Sequence, residues 1–175
     1  GSATNYMLEQ NEWLTRIVVP IGSNTGTISA LGIFDDLSST VITTHESIIL
    51  PGKDNGEQIP AMVDVYSRIP LNPIGIIFCF HGTGGSGAGF ENDFEKNAFF
   101  KAGANRNYIM IAADSNEKTF GDQNNDGVLR WEINDPAQDD ESNNIDIKMI
   151  NALRDTIITR LNLPSTFSTF TLGVS

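Results

Sequence analysis

Gly75-Ile76-Ile77-Phe78-Cys79-Phe80-His81-Gly82-Thr83-Gly84-Gly85-Ser86-Gly87 is the stretch on which the fold turns. Its first six residues form an apolar run of strand length, which suits a central strand buried on both faces of a sheet. The run breaks into His-Gly and a glycine-rich loop, where missing side chains let the backbone come close to another group. Phe90 to Ala102 follows with helix-compatible spacing at Phe94, Ala98, Phe99 and Ala102, and Tyr108 to Ala113 is a second buried strand. Strand, helix, strand with apolar strands predicts an α/β fold, a mostly parallel sheet flanked by helices.

Downstream, Asp114 to Asn144 is polar and rich in Asn and Asp, which predicts a long irregular surface loop. Ile145, Met149, Leu153, Ile157 and Leu161 recur every fourth residue, with Ile150 and Ile158 widening the stripe, so an amphipathic helix is expected to end before Pro164. Phe167 to Val174 alternates apolar and polar residues as a further strand that leads to Ser175. Upstream, Ile59 to Ile69 alternates as a half-exposed strand, and Pro51 to Gly56 is a turn cluster. Trp13 to Leu50 is rich in Val, Ile and Thr in short runs. The chain therefore reads as a β-rich segment over 1–58 followed by an α/β portion over 59–175.

Composition narrows the function. The 22 acidic residues against 11 basic ones give a net charge of −11, and no run of Lys or Arg could track phosphates or anionic lipid. Nucleic acid is not an expected partner. No apolar stretch approaches the ~20 residues that cross a bilayer, so no membrane partner is expected either. Gly1-Ser2 resembles the scar of a cleaved tag, which would place any secretion signal upstream of it. The single cysteine, Cys79, sits in the apolar strand between Phe78 and Phe80 and reads as a small buried thiol.

Two features carry chemistry. A strand running into Gly173-Val174-Ser175 matches the first half of the G-x-S-x-G elbow, a tight strand-to-helix turn that lifts a serine hydroxyl above the sheet. By itself the tripeptide is also what a strand end with an exposed serine looks like. His81-Gly82-Thr83-Gly84-Gly85 after a buried strand matches the loop whose backbone amides face a developing oxyanion, with the Thr83 amide as donor. A flexible glycine-rich turn and a phosphate cradle are the competing readings, but the Lys-Ser/Thr ending of a P-loop is missing and the net charge opposes phosphate.

Together these features, with Tyr108–Ala113 ending in Asp114, Trp131 in the following loop and Asp139-Asp140 before a helix, resemble the bacterial polyhydroxybutyrate depolymerase and feruloyl or acetyl-xylan esterase group of serine α/β-hydrolases. The resemblance covers 59–175 as the N-terminal part of that domain, ending at the nucleophile elbow. It implies ester hydrolysis through an acyl-enzyme, with Ser175 as nucleophile, no cofactor needed for catalysis, and a polymer-linked or aryl ester as substrate. His81, Gly82, Gly84 and Gly85 would line the substrate and oxyanion region, and Trp131 would either line the cleft with them or anchor its own loop. In this fold the acid and the histidine follow the serine in the chain, so both are expected from a downstream segment or second chain, and this chain alone is expected to be inactive. The resemblance also points to a secreted or periplasmic setting. His81 is expected to pack and hydrogen-bond beneath the glycines, and His45 lies in a Thr-rich segment with no acidic pattern around it.

Asp122-Gln123-Asn124-Asn125-Asp126-Gly127 follows the D-x-N-x-D-G pattern of calcium loops. The twelfth position of an EF-hand is Ile133 rather than Glu, so the expectation is a structural calcium site of another kind, using Asp122, Asn124, Asp126, the Val128 carbonyl and Glu132 or Asp135, or else a solvated turn. Asp139-Asp140-Glu141-Ser142 reads as a helix cap. Two alternatives to the esterase stand beside it: a non-catalytic, calcium-stabilised extracellular binding module, and a serine peptidase on the same fold.

Overall fold

A computed structural model describes residues 13–17, 31–34, 41–132 and 142–174. The chain divides into two compact units, Gly1–Thr40 and Val41–Ser175. In the first, β1 (Trp13–Ile17) pairs antiparallel with β2 (Leu31–Phe34), with an irregularity between Trp13 and Arg16.

The second unit starts at 41 rather than 59, because β3 (Val41–Asp54) and β4 (Glu57–Pro70) form one continuous hairpin of fourteen paired positions. Pro51 to Asp54, expected as part of a turn, are the end of β3. The reversal falls on Asn55 and Gly56 alone, whose φ values of 48° and 86° are the left-handed pair that a two-residue hairpin turn requires. β5 (Gly75–Phe80), α1 (Gly89–Asn92), α2 (Phe94–Ala104), β6 (Tyr108–Ala113), α3 (Asn116–Phe120), α4 (Ile145–Arg160) and β7 (Thr169–Gly173) complete the unit.

The sheet order is β3-β4-β6-β5-β7, and it is mixed rather than mostly parallel. β5 is parallel to both β6 and β7, whereas β4 is antiparallel to β3 and to β6. Connection length is the reason. A two-residue turn can only join antiparallel strands, and residues 71–74 are too few for a crossover, so β5 must run against β4.

Alternation along the strands divides the core into two layers. Ile48, Leu50, Ala61, Val63, Val65, Ile76, Phe78, Ile109, Ile111 and Ala113 form one face with Met149, Leu153, Ile157 and Ile158 of α4. Cys79, Met110 and Ala112 form the other with Phe90, Phe100 and Ala104 of α1 and α2. The four-residue stripe predicted for α4 is thus what it buries; complete burial of Met149 and Leu153 contributes about 1.5–3 kcal/mol each. Asn144 caps α4, accepting the Ile147 amide at 3.1 Å; Asp139, Asp140 and Glu141, expected as a cap, lie outside the described residues. Crossing from β5 to β6 and then back past β5 to β7 reverses direction, and right-handed crossovers then put α1–α2 and α4 on opposite faces.

Candidate active site

The connections leaving β5 and β6 lead to helices on opposite faces of the sheet, and they leave from its carboxyl end, the end at which open α/β sheets bind ligands. The glycine-rich loop lies there. Phe80 is the register partner of Gly173, and the Val174 amide donates to the Phe80 carbonyl at 3.0 Å. The end of β7 therefore runs beside the start of the loop. Ser175, the next residue, lies outside the described residues.

His81 is buried and holds a single tautomer. Its Nδ1 donates to the Gly82 carbonyl at 2.9 Å, and its Nε2 accepts the Ser115 amide at 3.3 Å. Burial pushes its pKa below the usual value, outweighing the Gly82 bond. Trp131 packs 5.0 Å from the His81 ring and 4.8 Å from Phe80, and its indole N–H donates to the His81 carbonyl at 3.0 Å. Both nitrogens of His81 are thus spent on backbone groups, and the ring supports the loop.

The loop amides divide into used and unused donors. Gly84 donates to the Leu129 carbonyl at 2.7 Å, Gly85 to the Gly82 carbonyl at 2.9 Å and Gly87 to Asp114 Oδ1 at 2.7 Å. Thr83 is exposed, and its amide has no acceptor among the described residues. Gly84 has φ +72°, while a Cβ on Gly85 would lie 3.0 Å from the Gly82 oxygen and a Cβ on Gly87 3.0 Å from the Ala113 backbone. The glycines serve conformation at one position and close packing at the other two.

Neither described histidine is placed as a general base. His45 stacks on Tyr66 at 4.1 Å and lies 3.8 Å from Asp64 on the outer strand β3. Four strand spacings of about 4.8 Å, roughly 19 Å, separate β3 from β7. Burial raises the Cys79 thiol to about 12, which leaves it an inert core group.

The acidic loop brings Asp122 and Asn124 together on one amide, while Glu132 is engaged elsewhere. Asp122 accepts the Asp126 and Gly127 amides, Asn124 accepts the Asp126 amide, Asp126 accepts the Val128 amide, and Arg130 pairs with Asp126. Glu132 has both oxygens engaged elsewhere, Oε1 by Lys53 at 3.0 Å and Oε2 by the Ile145 amide at 2.8 Å. No group of three or more acidic, histidine or cysteine side chains among the described residues converges on a metal position. The Arg130 guanidinium on Asp126 opposes a dication at that oxygen, and Asp135 lies outside the described residues.

A polar hub that the sequence did not suggest lies behind this loop. Asp146 is buried at 4% exposure, accepting the Asn116 amide on Oδ1 at 2.7 Å and the Glu132 amide on Oδ2 at 2.6 Å. It staples the two ends of 116–132 together. Burial raises its pKa to about 6 against the lowering effect of these two bonds. The available signal was a carboxylate next to the first residue of the apolar stripe, at a helix N-terminus. Two clefts flank Trp131. One of about 430 Å³ is polar, between Lys53, Asn116, Gln123 and Glu132; the other, about 530 Å³, is apolar, between Phe80, Ile147, Ile150 and Thr171.

No protein-family model matches the chain, and no curated protein matches it. Among solved structures it is similar to TT1662 from Thermus thermophilus, at 19% identity and a TM-score of 0.40 over 77% of this chain. The chain spans about half, 47%, of that protein's length. A likeness this slight carries no function across. Among the described residues no helix is long and apolar enough to cross a membrane.

Proposed function

We propose that this chain is the nucleophile-bearing part of a serine carboxylic-ester hydrolase. Ser175 Oγ attacks the ester carbonyl, its proton passes to a histidine, and the oxygen that becomes negative takes a hydrogen bond from the Thr83 amide. The intermediate collapses by expelling the alcohol with that proton, and water then releases the acid from the serine. The base and its carboxylate partner come from outside 1–175, since His81 and His45 are committed elsewhere. A polymer-linked or aryl ester is the substrate class, and the setting is secreted or periplasmic. The observation that carries this reading is the juxtaposition of the Thr83 loop with the end of β7, fixed by the Val174–Phe80 hydrogen bond.

The test is to take the longest native chain containing this sequence, supply p-nitrophenyl acetate and map acylation by mass spectrometry. Acetyl on Ser175 is expected. An active preparation with no adduct on Ser175 overturns the proposal.

A further inference from the structure

Outside itself and the helix it enters, the loop His81–Gly87 has four hydrogen-bond partners among the described residues, and these belong to one segment, Asp114–Trp131. They are the Ser115 amide on His81 Nε2, the Trp131 indole on the His81 carbonyl, the Leu129 carbonyl under the Gly84 amide, and Asp114 Oδ1 under the Gly87 amide. Only one of them, Asp114, is a side-chain acceptor. Its backbone is fixed in turn by the sheet: Ala113 pairs with Val65, and the Asp114 amide donates to the Asp64 carbonyl at 3.1 Å. There is no slack at this anchor. A Cβ on Gly87 would meet the Ala113 carbonyl carbon at 3.0 Å and the Tyr66 ring at 3.1 Å.

From this we infer that Asp114 is a positioning residue for ester hydrolysis, holding the far end of the glycine loop so that the Thr83 amide stays aimed at the oxyanion. The inference rests on the function proposed above. Asp114 works as a hydrogen-bond acceptor and not as a charge. A carboxylate near a developing oxyanion opposes it, whereas a neutral amide oxygen at Oδ1 keeps the bond to Gly87. Losing the acceptor lets the loop shift, and a shift of about 1 Å in a transition-state donor costs up to about 100-fold in rate.

The experiment uses the longest native chain containing this sequence and compares wild type with Asp114→Ala and Asp114→Asn in two measurements. The first is the rate at which an alkyl fluorophosphonate labels Ser175, a step in which the Oγ–P bond forms, the P–F bond breaks, and fluoride and the hydroxyl proton leave. Asp114→Ala is expected to label about 10- to 100-fold more slowly, with KM for p-nitrophenyl acetate nearly unchanged and the loss in kcat. Asp114→Asn restores the rate to within about threefold. The second is backbone amide NMR, in which Asp114→Ala speeds hydrogen exchange at Gly87 and moves the Thr83 resonance, while Asp114→Asn does neither. Equal loss in both variants, or unaltered Gly87 and Thr83 signals in Asp114→Ala, overturns the positioning role. Absence of label on wild-type Ser175 overturns the hydrolase reading instead, and the amide signals still decide whether Asp114 sets the loop.

Discussion

The glycine loop 81–87 and the acidic loop 122–127 both stand out in the sequence as functional, yet they are held in opposite ways. The glycine loop is fastened from outside, by Asp114, Ser115, Leu129 and Trp131, and keeps the exposed Thr83 amide unspent. The acidic loop is fastened mainly from within, its carboxylates closing on their own amides and on the nearby Arg130, with Gln123 accepting the Asn55 amide as its tie to the hairpin. A loop becomes a site when its neighbours hold it and its own polar groups remain available. Both loops belong to one assembly, because the stems of the acidic loop hold the glycine loop and Asp146 staples those stems.

The largest effect separating the two is expected at their glycines. Gly87→Val drives a side chain into the Ala113 and Ala112 backbone and should cost about 2–3 kcal/mol in urea unfolding. Gly127 has φ +85° but open space around a Cβ, so Gly127→Ala should cost only about 1 kcal/mol. Equal losses would mean that the glycine loop is not closely packed.

A pH effect of comparable size has two opposing parts. His81 has a folded pKa below its unfolded value, so its contribution is complete above about 6.5 and is lost as pH falls below that. Asp146 is raised from 3.8 to about 6, so the folded state holds a proton that the unfolded chain has released. Its contribution is present below 3.8 and is lost as pH rises through about 6, on the order of 3 kcal/mol in all. Asp146→Asn removes the second part. Unfolding free energies between pH 7 and 4 should therefore fall more steeply on acidification in Asp146→Asn than in wild type, and parallel curves would refute the assignment.

The smallest effect tests the acidic loop. Millimolar calcium should move the melting temperature of wild type by less than about 1 °C, whereas Arg130→Gln, which frees Asp126, should show a measurable calcium-dependent rise. A rise in wild type would show that the loop opens to take the ion.

Legibility followed the range of the forces involved. β6 lies where its apolar run put it, α4 buries the predicted stripe, and the supporting role expected of His81 matches its two backbone bonds. The hairpin reversal at Asn55-Gly56 falls inside the Pro51–Gly56 turn cluster, but the strand through Pro51–Asp54 and the direction of β4 are not legible, because such a cluster looks like a loop until fourteen pairs carry the strands through it. In the sequence Asp114 reads only as the end of a strand, and Asp146 does not stand out. Their partners are 27 and 30 residues away in sequence, at Gly87 and Asn116.

By itself, then, the sequence determined the buried strands, the helix stripe and the places where glycine replaces side chains, since periodicity and chain flexibility are local properties. Only the tertiary structure decided which polar groups are spent and which are left over. An amide or carboxylate is committed by whatever acceptor or donor the fold brings within about 3 Å, and that pairing is made across the sheet rather than along the chain.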